Sequence, residues 1–263
     1  MSMTKVIAFA NNKGGSGKTT TVSNVGCAMA KLGKSVLIID ADMQLNLTLS
    51  YFDEEKTLSF LESGNNIYTA IKNECDITPY IVRTEYEGLD ILPSSSLMSG
   101  IEYELFPKWQ RELILRKCLS HVVARGSYDF ILIDSPPTLG GWVMNIMCAV
   151  DYVIIPVEAS PWGLFGLANM FEFIDKAKEI SPRLEVMGIA ITKADERKSY
   201  FKQTLETLRE SDIARLFNTY IRVDSAVEWS QDNSKPVVDF KKYSRSSLEY
   251  KKLTKEIIEY AGR

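Results

Sequence analysis

Asn11-Asn12-Lys13-Gly14-Gly15-Ser16-Gly17-Lys18-Thr19-Thr20 is the stretch whose reading decides the fold. Before it runs Lys5-Val6-Ile7-Ala8-Phe9-Ala10, short and apolar, which reads as a buried strand. After it Val22, Val25, Met29 and Leu32 recur at the spacing of one helix face. Strand, glycine-rich turn, helix is the setting a phosphate-binding loop requires. Glycines let the backbone curl so that successive N–H groups point inward. The helix that follows adds its positive N-terminal end. Lys18 can then reach the outer phosphates, and the Thr19 hydroxyl can hold a magnesium ion.

The match to G-x-x-x-x-G-K-[ST] is incomplete, because Asn12 stands at its first glycine. A second lysine, Lys13, opens the run instead. A surface lysine beside a turn is the plain alternative; two lysines flanking one phosphate cradle point to phosphate chemistry. The pattern K-G-G-x-G-K-[ST]-T resembles the deviant Walker A loop of the ParA/MinD superfamily. That resemblance implies a nucleotide held by Lys13, Gly14, Gly15, Ser16, Gly17, Lys18, Thr19 and Thr20, with Lys13 crossing a dimer interface to the partner's nucleotide.

Composition sets bounds. The chain has 263 residues, 45% hydrophobic and 25% charged, enough for one large α/β domain or two small ones. No apolar run approaches the roughly 18 residues of a membrane helix. The start, Met-Ser-Met-Thr-Lys, lacks the pattern of a signal peptide, so a cytoplasmic protein is expected. Cys27, Cys75, Cys118 and Cys148 are scattered and read as buried thiols, not disulfides or a metal site. The net charge of −3 means that any nucleic-acid binding needs a local basic face.

Ser35 to Asp40 reads as a second buried strand running into Asp40-Ala41-Asp42-Met43-Gln44-Leu45-Asn46. Ligands of open parallel sheets sit at carboxyl ends of strands, so Asp40 and Asp42 should face the phosphates. A helix cap is the alternative for Asp42. The stretch resembles the family's D-x-D-P-Q-x-N segment, which implies that Asp42 orients the attacking water and Asp40 supports the magnesium shell. Met43 and Leu45 stand where the family has proline and glycine.

Short helices are expected at 58–61 and 67–71, a strand at 88–93, and a helix over 109–123 carrying His121 on the surface. Tyr128 to Asp134 fits a Walker B strand whose Asp134 carboxylate contacts magnesium through water. Its tail, Ser135-Pro136-Pro137-Thr138-Leu139-Gly140, resembles the family's switch segment. Strands follow at 151–157 and 185–192, with a helix between them using Leu164, Leu167, Phe171 and Ile174. Thr192-Lys193-Ala194-Asp195 looks like the T-K-x-D guanine reader of some GTPases. A polar helix carrying Arg197, Lys198 and Lys202, a strand near 216–223, and a final helix with Tyr250, Leu253 and Ile257 inward complete the chain. Arg222 and Asp224 stand where the family's base-lining residues fall.

The fold expected is a single α/β domain over 1–263, a mainly parallel twisted sheet with helices on both faces. The resemblance to ParA/Soj proteins implies a slow, partner-stimulated ATPase using ATP and Mg2+. It also implies an ATP-dependent homodimer, non-specific DNA binding, nucleoid association when ATP-bound, a ParB-like partner and no membrane insertion. From Lys241 onward lysine and arginine outnumber glutamate. Arg197, Lys198, Arg222, Lys241, Lys242 and Arg245 are candidate DNA contacts; a solvated helix face is the alternative. Three other readings stay open: a MinD-like positioning or other regulatory NTPase not acting on DNA, a redox relative, and a tyrosine kinase. The redox reading needs a cysteine soon after Asp134, where this chain has Gly140-Gly141-Trp142. The kinase reading lacks a tyrosine-rich tail, since Tyr243, Tyr250 and Tyr260 are spaced for a packed helix.

Overall fold

The structure is a computed structural model that describes residues 3–160, 164 and 166–262. In chain order its elements are β1 (Lys5–Phe9), α1 (Lys18–Lys31), β2 (Val36–Asp40), α2 (Asn46–Leu49), α3 (Glu54–Glu62) and α4 (Ile67–Asn73). Next come β3 (Val82–Arg83), β4 (Leu89–Leu92), α5 (Ile101–Leu105), α6 (Ile114–Arg125), β5 (Phe130–Asp134) and α7 (Gly141–Ala149). The last are β6 (Tyr152–Glu158), α8 (Leu167–Ile180), β7 (Glu185–Thr192), α9 (Ser199–Ser211), α10 (Ser225–Asp232), α11 (Val237–Phe240) and α12 (Arg245–Ala261).

The strands form one sheet in the order β3-β4-β2-β5-β1-β6-β7, parallel except for the two-residue edge strand β3. β1, β2 and β5 are apolar almost without a break because both of their faces are covered. Alternate residues serve opposite layers. Ile7 and Phe9 pack with α1 and α10 to α12, whereas Val6 and Ala8 pack with α4 to α9. α1 lies so close to the sheet that a Cβ on Gly26 would sit 2.7 Å from Ile38 Cγ2. Register then aligns the carboxyl ends: Phe9 pairs with Asp134, and Asp40 pairs with Asp134.

Several expectations are corrected. No continuous strand forms over 216–223; it meets the sheet edge at two isolated bridges, Ile189 to Leu216 and Ala194 to Arg222, with one further backbone hydrogen bond from the Ile221 amide to the Ile191 carbonyl. The Asn218 and Thr219 amides donate instead to the Glu256 carboxylate, both at 2.9 Å, which leaves no continuous ladder. The helix expected from Trp109 starts at Ile114, because Gln110 turns left-handed and a short 3-10 turn intervenes. Arg197 and Lys198 precede α9 and do not lie on it; the Asp195 side chain accepts the Arg197 amide and turns the chain there. Leu164 lies outside α8, and Leu32 caps α1 from an exposed position. Val22, Val25, Met29, Tyr250, Leu253 and Ile257 are buried as read. His121 is on the surface as expected, with Asp76 as an unforeseen neighbour at 3.4 Å. The four cysteines are free thiols, three of them buried. No helix among the described residues is long and apolar enough to cross a membrane.

Candidate functional site

The loop after β1 curls over the start of α1. Gly15 and Gly17 take φ of 74° and 83°, a region costly for residues with a Cβ. Thr192, at the end of β7, braces the loop by donating from its hydroxyl to the Ser16 carbonyl at 2.8 Å. Asn11 anchors its other end, donating to the Pro156 carbonyl and accepting the Lys13 amide. Beside the loop opens a cleft of about 730 Å³, lined by residues 14–20, Asp42, Gln44, Asn46, Lys193 and 221–224.

Lys18 is buried at the cleft floor, and its ammonium donates to the Lys13 carbonyl at 3.2 Å. Burial lowers its pKa, against the pull of the Asp134 and Asp42 carboxylates. Asp134 ends β5 at 1% exposure, and neither of its carboxylate oxygens has a hydrogen-bond partner. Burial pushes its carboxyl well above the usual range and Asp40 adds to that; the Thr19 hydroxyl and Lys18 ammonium nearby work the other way. An orphaned buried carboxylate is costly alone, and a cation bound there removes the cost. Asp134, Asp42 and the Thr19 hydroxyl are the hard oxygen donors a magnesium ion takes. The site therefore fits that ion.

Asp40 plays a different part from the one read in sequence. It is fully buried, and burial pushes its carboxyl up to about 6. One oxygen accepts the Asp42 amide at 3.2 Å; the other accepts the Thr48 amide at 2.8 Å and hydroxyl at 2.7 Å. It thus fixes the turn that carries Asp42, whose carbonyl takes the Ser94 hydroxyl at 2.7 Å. Leu45 adopts φ of 57°, the angle where the family's glycine would be at ease, so the turn keeps its shape at some strain. Thr48→Val leaves the buried Asp40 oxygen without its hydroxyl donor. A loss of about 1–3 kcal/mol in urea unfolding is expected, and an unchanged midpoint would contradict that role.

Lys13 points away from the cleft. Its ammonium lies 3.0 Å from Glu158 Oε2 and 3.2 Å from Ser160 Oγ, with about a third of the side chain exposed. Arg222 lines the cleft, yet its guanidinium is held by Glu249 and Glu196. The Asp224 carboxylate accepts the Ala226 and Ser246 amides, both at 3.0 Å, and is spent on helix caps. Asp195 does not line the cleft; Arg197 grips it with Nε at 2.8 Å and Nη2 at 2.9 Å. Of the candidate DNA contacts, Arg197, Arg222 and Lys242 are paired with carboxylates. Lys198, Lys241 and Arg245 form no ion pair among the described residues. Sequence reading missed Glu158, Ser160, Thr48 and Ser94. Glu158 carried one usable signal, a polar residue ending a buried strand on the ligand side of the sheet.

A family profile described as an AAA domain matches residues 4–186. The chromosome partitioning protein ParA of Caulobacter vibrioides is 33% identical over 255 residues, covering 97% of this chain and 94% of that protein. The sporulation initiation inhibitor protein Soj of Bacillus subtilis is 32% identical over 256 residues, with 97% and 98% covered. This chain belongs to the ParA/Soj family. Among solved structures, cobyrinic acid a,c-diamide synthase from Mycobacterium smegmatis, with bound ADP and magnesium, superposes with a TM-score of 0.84. It is 26% identical, with 99% of this chain and 97% of that one covered. The ParA/Soj assignment gives the loop, the Asp42 turn and the β5 aspartate one shared setting: the first two line the cleft, and Asp134 lies buried beside Asp40, close enough to act on the Lys18 charge.

Proposed function

We propose that this chain is a partition ATPase that dimerises on ATP, binds DNA non-specifically and drives plasmid or chromosome segregation. The carrying observation is that Lys18 and Asp42 line one cleft, with the orphaned, buried Asp134 carboxylate close enough to Lys18 to act on its charge. The relative from Caulobacter vibrioides, a chromosome partitioning protein, supports the cargo class. ATP is the substrate, with phosphates against Lys18 and the amides of 14–20. Thr19, Asp42 and Asp134 would hold magnesium, which would supply charge to neutralise the phosphates. Asp42 orients the attacking water, and Asp40 holds Asp42 in place. Lys13 of the partner subunit neutralises charge developing at the transferred phosphoryl group. Turnover is slow and rises with a ParB-like partner. Lys198, Lys241 and Arg245 are the cations most free to meet DNA phosphates, and dimerisation doubles them. ATP-bound protein therefore gathers on the nucleoid.

Lys13 must leave Glu158 to cross the interface. The contact is partly exposed, so it is worth about 0.2–1 kcal/mol. Glu158→Gln is expected to lower the ATP concentration for half-maximal dimer formation by about two- to fivefold. A higher concentration would show that Glu158 serves the dimer and not the monomer. The function itself is tested by sizing and gel shift with ATP and magnesium against ADP. Dimers and salt-sensitive DNA binding with ATP alone are expected. Dimers that ignore DNA would leave a regulatory ATPase not acting on DNA.

A further inference from the structure

The T-K-x-D resemblance left a residue that the partition reading does not use. Asp195, the guanine-reading position, is occupied by Arg197 and sits away from the cleft. Lys193 does line the cleft. It adopts φ of 49°, one of the few non-glycine residues with a positive angle. Its ammonium lies where a Cβ on Gly15 would be 3.8 Å away, beside the phosphate loop. It forms no ion pair or hydrogen bond among the described residues. The neighbouring Thr192 hydroxyl donates to the Ser16 carbonyl, which ties the segment to the loop.

A strained backbone persists only where its surroundings over-determine it, and such residues cluster at ligand sites. A turn alone would favour glycine or asparagine here. We propose that Lys193 is a further nucleotide-binding residue, an ammonium that contacts the phosphate chain of a bound nucleoside di- or triphosphate. This rests on the nucleotide reading of the cleft. Its chemistry is that of a mobile point charge with three donors, suited to phosphate oxygens. It adds a second ammonium, beside Gly15, to that of Lys18 and stays within one subunit, unlike Lys13.

The test measures fluorescent ATP binding with magnesium, alongside thermal unfolding without nucleotide. Lys193→Gly is expected to weaken ATP binding about fivefold, roughly 1 kcal/mol. The same variant should leave the unfolding midpoint unchanged or raised, because glycine accepts the positive φ. Lys193→Met, which keeps most of the stem, should lose as much affinity as Lys193→Gly. Lys193→Arg should stay within about twofold of the parent. Affinity and stability moving in opposite directions is a result that a merely structural lysine does not give. Wild-type affinity in both the glycine and methionine variants overturns the proposal and leaves the cleft assignment standing. Failure of the unaltered chain to bind ATP overturns the cleft assignment itself, and Lys193 with it.

Discussion

Lys13→Ala is expected to cut ATP turnover by about a thousandfold while leaving ATP affinity within about threefold. The asymmetry follows from where its parts lie. The Lys13 carbonyl holds the Lys18 ammonium, and the Lys13 amide is held by Asn11; alanine keeps both backbone groups. The side chain that alanine removes sits on Glu158 and Ser160, outside the cleft of its own chain. Ground-state binding by one subunit therefore loses little. A cation supplied to the transferring phosphoryl group from outside is worth orders of magnitude in rate. Steady-state phosphate release and ATP titration check the two halves separately. A large loss of affinity with turnover at saturation unchanged would place Lys13 in its own subunit's site.

The Asp134→Asn chain is expected to be more stable than the parent without nucleotide, by about 1–3 kcal/mol, and to lose magnesium-dependent ATP binding about a hundredfold or more. Both effects have one cause. The Asp134 carboxylate is buried without a hydrogen bond and close to Asp40, so the folded chain alone gains by losing the charge. An amide removes the charge but is a poorer ligand for a hard dication. Thermal unfolding with and without magnesium and ATP reads both. The parent should gain stability from the ligands, and the variant should not. A variant that is less stable yet still gains from magnesium and ATP would show that Asp134 is a packing residue.

The parts legible in the sequence were those where chemistry and chain order coincide. Residues 5–20 carry strand, turn and helix in one run, and the strands ending at Asp40 and Asp134 show their carboxylates at their tips. The hidden parts depend on distant partners. Lys13 and Glu158 are 145 residues apart, so no local pattern shows that the lysine has a resting place. The helices α7 and α10 begin with residues that give no strong periodic signal, and α7 is buried almost all round. The segment near 216–223 reads as a strand, but the Glu256 carboxylate from α12 takes the Asn218 and Thr219 amides in its middle and interrupts the ladder. Basic residues near the C-terminus looked like one patch, yet Arg197, Arg222 and Lys242 are each matched by an acid.

The central claim is that each nucleotide is served by a lysine from the other subunit. Mixing Lys13→Ala chains with Asp42→Ala chains tests it directly. Each variant alone should be nearly inactive. In a mixed dimer the Lys13→Ala subunit keeps Asp42 in its own cleft and receives Lys13 from its neighbour. An equal mixture should therefore recover about a quarter of parental turnover, since half of the dimers are mixed and each has one complete site. Mixed dimers that form but stay as inactive as their parents would contradict the account.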